Sequence, residues 1–222
     1  MTLKAELEQQ LAKFKQRASS ELARTLQDGV DELAASGIAD GAVKEGEVAP
    51  DFTLPNARGS LVALSALLEQ GPVVLSFYRG GWCPYCNLQL RAYQHILPAI
   101  RELGAQLVAV SPEPPDASLS TAEKNALEFE VLSDVDAQAA RSYRLLFDLS
   151  ERLKATYIGM DKNLAVINAD GQWHLPIPAT YVIAKDGRVA LSYVDPEYRN
   201  RLEPSEILAA LQELQAVETQ SG

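Results

Sequence analysis

Apolar residues recur at spacings of three and four over residues 1–36, which is the period of an amphipathic helix. The repeating positions are Leu3, Leu7, Leu11, Phe14, Ala18, Leu22, Leu26, Val30 and Leu33. This pattern predicts one long helix that is ended by Gly37 and Gly41. Because the repeat is not a regular heptad, a long coiled coil is disfavoured. The apolar face is expected to pack either on its own domain or against a second subunit in a homodimer.

From Val43 the pattern changes to short apolar runs that alternate with helical spacing. Strands are predicted at residues 73–78, 106–110 and 131–132, and helices at residues 87–103, 121–128, 136–144 and 205–214. Residues 180–184 and 188–193 flank Lys185-Asp186-Gly187, which predicts a hairpin. Strands that alternate with helices predict an α/β fold with a mixed central sheet flanked by helices.

Length and composition limit the number of domains. The chain has 222 residues, of which 47% are hydrophobic and 23% charged, so it is globular and holds one sizeable domain with an appendage. We predict a helical extension over residues 1–42 and one domain over residues 43–222. Within that domain, residues 145–178 are predicted to form an insertion of short elements.

Charge and hydropathy argue against nucleic acid and membranes as binding partners. The net charge is -10 and no cluster of Lys and Arg stands out, which argues against binding to nucleic acid. No apolar run approaches the roughly 20 residues that span a bilayer, and the N-terminus lacks the apolar stretch of a secretory signal. These features predict a cytoplasmic protein without a membrane partner.

The two cysteines, Cys83 and Cys86, lie between a predicted strand and a predicted helix. A helix N-terminus carries unpaired N–H groups and partial positive charge, which favour the reactive thiolate. Pro84 suits the first helical turn, and Arg79 adds a cation just before the turn. This spacing favours a dithiol/disulfide couple over two inert cysteines.

A metal site is the other interpretation of the cysteine pair. Zinc requires about four ligands, and the two histidines, His95 and His174, do not show ligand spacing. No metal and no cofactor are therefore predicted.

Residues 77–86, FYRGGWCPYC, resemble the active-site segment of the alkyl hydroperoxide reductase/thiol-specific antioxidant (AhpC/TSA) family, the peroxiredoxins. Further segments that resemble this family lie at residues 49–52, 108–112, 132–134 and 181–188. The resemblance extends over roughly residues 43–215. It implies a thioredoxin fold, within the thioredoxin-like superfamily, and a cofactor-free thiol peroxidase.

The site departs from the family pattern at several positions. Aligned to the family, Cys86 takes the peroxidatic place and Cys83 replaces a Thr or Ser, while Arg79 stands where the family has a proline. The distant family arginine falls near Pro178 and is absent. Pro178 instead resembles the cis-proline that faces the cysteine pair of thioredoxins. Residues 82–86 also resemble the glutaredoxin and thioredoxin pentapeptide, in which the first cysteine is the nucleophile.

Three functions follow as hypotheses. In a peroxidase, one cysteine attacks a hydroperoxide, the second forms a disulfide with it, and thioredoxin or glutaredoxin reduces the pair. The alternatives are a disulfide oxidoreductase and a redox-responsive binding module that uses the N-terminal helix. In the peroxidase, Arg79 is expected to stabilise the thiolate and the leaving oxygen. Trp82, Tyr85 and Pro178 are expected to contact the substrate.

The order of attack depends on where each sulfur lies. A cap-position thiol at Cys83 is expected to face solvent and the free N–H groups of the first turn. Cys86 is expected to turn toward the sheet, where burial raises a thiol pKa. This argument predicts Cys83 as the first nucleophile, whereas alignment to the peroxiredoxins favours Cys86. The N-terminal helix is expected to be dispensable for thiol chemistry because it carries no cysteine.

Overall fold

A computed structural model describes the protein over residues 1–221, and its side chains over residues 1–217 and 219. The helices are α1 (Leu3–Arg17), α2 (Ser20–Ala35), α3 (Ile38–Gly41), α4 (Leu64–Leu68), α5 (Pro84–Glu102), α6 (Pro115–Lys124), α7 (Gln138–Ser142), α8 (Glu151–Gly159), α9 (Leu164–Ile167) and α10 (Pro204–Ser221). The strands are β1 (Thr53–Pro55), β2 (Leu61–Ala63), β3 (Val73–Phe77), β4 (Gln106–Ser111), β5 (Glu130–Ser133), β6 (Leu146–Asp148), β7 (His174–Pro176), β8 (Ala179–Ile183) and β9 (Val189–Val194).

The central sheet has the strand order β5-β4-β3-β8-β9. Strands β3, β4 and β5 run parallel, whereas β8 and β9 are antiparallel to their neighbours. The hairpin between β8 and β9 turns at Gly187, which adopts a positive φ of 85°. The predicted α/β fold with a mixed sheet is thereby confirmed.

Strand β3 lies in the middle of this sheet and is buried along its whole length. Successive side chains of a strand point to opposite faces, so Leu75 and Phe77 enter one core and Val74 enters the other. The second core is covered by α5 and α10, which contribute Leu90 and Ile207. Burial on both faces explains why β3 is a continuous apolar run, and it fixes the point at which the chain leaves the sheet for α5.

The N-terminal region contradicts the prediction of one long helix. The helix is interrupted at Ala18 and Ser19, and the Ser19 hydroxyl accepts a hydrogen bond from the N–H of Leu22. This cap satisfies a free N–H group at the start of α2 and so stabilises a new helix. Helix α1 packs against α5 and α2 packs against α8, so their apolar faces contact the same chain.

Two more helices differ from their predicted bounds. The helix predicted at residues 121–128 begins earlier because Pro114 and Pro115 open α6, where a missing N–H is tolerated. It ends at Lys124, before Ala126, which has a positive φ of 50°. The helix predicted at residues 136–144 is the shorter α7. Residues 145–178 form β6, α8, α9 and β7, as the predicted insertion of short elements requires.

Within residues 1–221, no helix has the length and apolar character needed to cross a membrane.

Candidate active site

The turn between β3 and α5 presents both cysteines at the start of α5. Cys83 is the N-cap residue in an extended conformation, and Pro84 occupies the first helical turn. Gly80 has a φ of 139°, a backbone conformation that residues with a side chain rarely adopt. A Cβ at Gly81 would lie 2.0 Å from the hydroxyl oxygen of Thr121. The two glycines therefore let the chain turn sharply against α6.

Buried polar side chains form hydrogen bonds with both the N–H and the carbonyl of Gly81. Its N–H donates to Glu113 Oε2 at 2.7 Å, and its carbonyl accepts from Asn87 Nδ2 at 2.7 Å. The same amide nitrogen donates to the Cys83 carbonyl at 3.0 Å, while Asn125 orients Asn87 through a 2.7 Å bond. Burial raises the pKa of Glu113 to about 7, although the bond from Gly81 acts to lower it. Sequence reasoning missed Glu113 because it lies in the loop that follows β4, distant in sequence from the cysteines.

Both cysteines are free thiols, and both are buried. Cys83 is 1% exposed and Cys86 is 0% exposed. The expectation that Cys83 faces solvent is therefore wrong. Side chains of α1 and α2 and aromatic side chains around the turn line a cleft together with Cys83.

The two thiols have opposite electrostatic environments. For Cys86, burial acts to raise the pKa, but a hydrogen bond from the Cys83 thiol, the charge of Arg201 and the backbone N–H of Arg79 lower it to about 5. For Cys83, burial and its hydrogen bond to Cys86 raise the pKa well above the ordinary value. These opposite shifts favour the thiolate on Cys86 and the protonated thiol on Cys83. Such a pair combines a nucleophile with an adjacent proton donor.

Arg201 is a buried cation that contacts the Cys86 sulfur. Its Nη2 donates to the Cys86 sulfur at 3.5 Å, and its Nε donates to Gln89 Oε1 at 2.8 Å. Arg201 is 7% exposed, so its charge acts through little solvent. Sequence reasoning missed Arg201 because the loop before α10 carries no motif and reaches the site only through the tertiary fold.

Arg79 lies under a set of aromatic rings. Its guanidinium carbon is 4.1 Å from the ring centre of Tyr198, 5.0 Å from that of Trp82 and 5.7 Å from that of Tyr157. It also donates to the Tyr157 hydroxyl, while its Nε has no hydrogen-bond partner. Arg79 is 4% exposed, and no carboxylate pairs with it among the side chains described. A buried, incompletely paired cation is costly, which is typical of a site that binds anionic groups.

A cleft of about 70 Å³ has Cys83 in its wall. Its walls are formed by Gln10, Phe14, Leu26, Arg79, Trp82, Pro84, Tyr85, Tyr157, Met160, Lys162 and Tyr198. The predicted contact residues Trp82 and Tyr85 are thus brought together with Arg79 beside Cys83. Helices α1 and α2 supply part of the wall, so the N-terminal extension and the cysteine turn, which are far apart in the sequence, meet at this cleft.

The model of the AhpC/TSA family matches residues 46–192 of the chain. The chain belongs to the AhpC/TSA family. It is 30% identical over 130 residues to peroxiredoxin Bcp of Escherichia coli strain K12, a match that covers 59% of this chain and 82% of that relative. It is 32% identical over 131 residues to chloroplastic peroxiredoxin Q of Triticum aestivum, covering 58% and 59%. These relatives establish a thiol-dependent peroxidase, an oxidoreductase of hydroperoxides with a thioredoxin-type reductant.

Solved structures show the same fold. Peroxidoxin BcpB of Mycobacterium tuberculosis is similar with a TM-score of 0.62 and 24% identity, covering 77% of this chain and 97% of that one. Peroxiredoxin Q of Xanthomonas campestris has a TM-score of 0.58 and 19% identity, covering 74% and 91%. The thioredoxin fold is thereby confirmed. Helices α1 and α2 lie before the part that the family model matches.

This peroxiredoxin does not place Pro178 as the sequence predicted. Within residues 1–221 no peptide bond is cis, so the expectation of a cis-proline is wrong. Pro178 lines an apolar cavity together with Arg79, Leu26 and Tyr157, and it is not among the residues that line the cleft beside Cys83.

The described part of the peroxiredoxin holds no group of three or more His, Cys, Asp or Glu side chains that could bind a metal ion. His174 lies beside Asp170, with 2.9 Å between Nε2 and Oδ2, and His95 is exposed on α5.

Proposed function

We propose that this peroxiredoxin reduces hydroperoxides through a two-cysteine cycle in which Cys86 attacks and Cys83 resolves. The observation that supports the proposal most directly is the buried guanidinium of Arg201, whose Nη2 lies 3.5 Å from the Cys86 sulfur. This arrangement favours Cys86 as the thiolate. The proposal therefore reverses the order of attack expected from the cap position, and it agrees with the alignment to the family.

In the first step, the Cys86 thiolate attacks the terminal oxygen of the hydroperoxide. The O–O bond breaks, a sulfenic acid forms on Cys86, and an alkoxide or hydroxide leaves. The Cys83 thiol gives its proton to this leaving oxygen, producing an alcohol or water. Cys83 thereby performs a task suited to the hydroxyl residue that it replaces, and the charges of Arg201 and Arg79 stabilise the anionic transition state.

In the second step, the new Cys83 thiolate attacks the Cys86 sulfenic sulfur. The S–O bond breaks, hydroxide leaves, and the Cys83–Cys86 disulfide forms. Because both sulfurs belong to the first turn of α5, this step involves a local rearrangement at the turn. An external thiol then reduces the disulfide by thiol–disulfide exchange. Glutaredoxin as an alternative electron donor, a homodimer and a cytoplasmic location stay predictions.

A second candidate function is supported by the Cys-Pro-Tyr-Cys spacing, which suits a protein disulfide oxidoreductase. The family match over residues 46–192 and the peroxiredoxin relatives favour the peroxidase over this alternative. Insulin reduction measured beside peroxide turnover separates the two activities. Insulin reduction without peroxide turnover would favour the oxidoreductase.

Single-turnover reactions of the two serine variants with hydrogen peroxide test the order of attack. Cys86→Ser is expected to lose the fast reaction, whereas Cys83→Ser is expected to react and stop as a sulfenic acid on Cys86. Mass spectrometry identifies the oxidised sulfur. Cys83→Thr, which restores the hydroxyl residue of the family, serves as the matched variant and should react faster than Cys83→Ala. Loss of reactivity in Cys83→Ser with retention in Cys86→Ser would assign the attack to Cys83.

A further inference from the structure

The cleft above Cys83 differs in charge from the rest of the molecule. The chain has a net charge of -10, yet the side chains that line the cleft include two cations, Arg79 and Lys162, and no carboxylate. The ammonium of Lys162 lies 5.7 Å from the ring centre of Trp82, so it stands at the aromatic wall. A local positive site in an acidic protein selects anionic ligands against the overall field.

Arg79 supplies a second, independent indication of a ligand. It is 4% exposed, its Nε has no hydrogen-bond partner among the described residues, and its Nη2 donates to the Tyr157 hydroxyl. In the reduced protein, the Cys86 thiolate provides negative charge near Arg79. Disulfide formation removes that charge and leaves Arg79 buried without a counter-ion. An anion in the cleft should therefore bind more tightly to the oxidised state than to the reduced state.

We propose that this cleft binds a low-molecular-weight thiol bearing carboxylate groups, which reduces the disulfide by attacking Cys83. The inference rests on the proposed two-cysteine cycle and names a reductant for it. Cys83 is the target because it is among the residues that line the cleft, whereas Cys86 is not.

The exchange reaction balances in two steps. The ligand thiolate attacks Cys83, a mixed disulfide forms between them, the Cys83–Cys86 bond breaks, and Cys86 leaves as a thiolate. A second ligand thiolate attacks the sulfur of the bound ligand. This releases the ligand as its own disulfide and returns Cys83, which takes a proton from solvent. Cys86 is the better leaving group of the pair because its anion is stabilised by Arg201.

Small thiols of different charge test this inference on the peroxide-oxidised full chain. The probes are 3-mercaptopropionate, which is an anion, 2-mercaptoethanol, which is neutral, and cysteamine, which is a cation; glutathione tests a larger anion. Rates of disulfide reduction are corrected for the thiolate fraction of each probe. We expect 3-mercaptopropionate to react about tenfold faster than cysteamine, because a favourable contact with one partly screened cation exceeds the long-range repulsion.

Two charge-reversal variants provide the comparison. Lys162→Glu is expected to lower the ratio of the anionic to the cationic rate by about tenfold, through the local field that it reverses. Lys185→Glu makes the same change of charge in the exposed β8–β9 turn and should leave the ratio within about twofold, since solvent screens distant charges. A ratio near one in the wild type would overturn the inference, as would equal effects of the two variants.

Binding of S-methylglutathione, which cannot reduce a disulfide, gives a readout apart from turnover. Titration calorimetry should detect tighter binding to the oxidised than to the reduced chain, because only the oxidised site lacks the Cys86 charge. Equal or tighter binding to the reduced chain would contradict the proposed site. If peroxide does not form the disulfide at all, the two-cysteine cycle itself fails; if it forms and shows no charge preference, only this inference fails.

Discussion

Replacing Arg201 with methionine tests the electrostatic basis of the proposed cycle. Methionine keeps an unbranched apolar stem in the buried loop but removes the guanidinium that lies 3.5 Å from the Cys86 sulfur. At an effective dielectric constant of about 20, opposite unit charges at this separation attract each other by about 5 kcal/mol. Removal of both charges from water offsets much of that attraction.

The net effect should be close to that of a hydrogen bond to a charged group, about 1.5–3 kcal/mol. One pKa unit corresponds to 1.36 kcal/mol, so Arg201→Met should raise the pKa of Cys86 by about one to two units. The pKa of about 5 in the wild type would rise to about 6–7. The thiolate fraction at pH 7 then falls at most about twofold. Weaker stabilisation of the transition state should slow the reaction with peroxide by a further factor of about ten or more.

Thiolate absorbance at 240 nm against pH measures this pKa, and stopped-flow reaction with hydrogen peroxide measures the rate. Arg199→Met is the matched control, since Arg199 lies in the same loop and is also buried but bonds to Glu197 and Gln27. If Arg201→Met retains the wild-type pKa of Cys86 while its fold is intact, Arg201 does not create the thiolate. A similar shift in Arg199→Met would instead assign the effect to disruption of the loop.

Three further predictions concern the support of the site. Glu113 has a raised pKa, so its contribution to stability is present below the carboxyl pKa of the unfolded chain and is lost as pH rises through about 7. The free energy of unfolding of Glu113→Gln should therefore rise relative to wild type between these pH values; a pH-independent difference in urea denaturation would refute this. Leu26→Ala removes a buried side chain of α2 and should cost about 2–5 kcal/mol, whereas Ile158→Ala, 56% exposed on α8, should change the urea midpoint little. Gly81→Ala should slow the peroxide reaction because its Cβ would clash with Thr121, and adding Thr121→Ala should restore the rate; failure of this rescue would show that the clash is not the cause.

The central sheet and the cysteine turn were predictable because their signals are local. Strand β3 is buried on both faces and therefore appears as an uninterrupted apolar run, and Cys83 and Cys86 follow it directly. The break between α1 and α2 was not predicted, because Ala18 fits the apolar repeat and masks the cap at Ser19. A capping serine can end one helix and start another without changing the hydrophobic period.

The parts of the site that sequence reasoning missed are supplied by distant segments. Arg201 lies 115 residues after Cys86, and Phe14 and Leu26 reach the cleft from helices outside the family match. Their roles depend on how helices and loops pack, which no local spacing records. The expectation that residues 1–36 are dispensable for thiol chemistry stays a prediction, although two of their side chains form part of the cleft wall.

The positions of the two arginines connect the chemistry of oxidation with that of reduction. Arg79 and Arg201 are buried in the described fold, and the charge that they stabilise is the Cys86 thiolate. In the proposed cycle that thiolate attacks peroxide, and the same stabilisation makes Cys86 a good leaving group when the disulfide is reduced. Oxidation, however, leaves both cations without this anion. Since the lost charge lies beside the cleft that contains Cys83, an incoming anionic thiol can compensate it at the sulfur that must be attacked. The loss of the Cys86 charge on oxidation thus favours binding of an anionic thiol, and reduction by that thiol restores the thiolate.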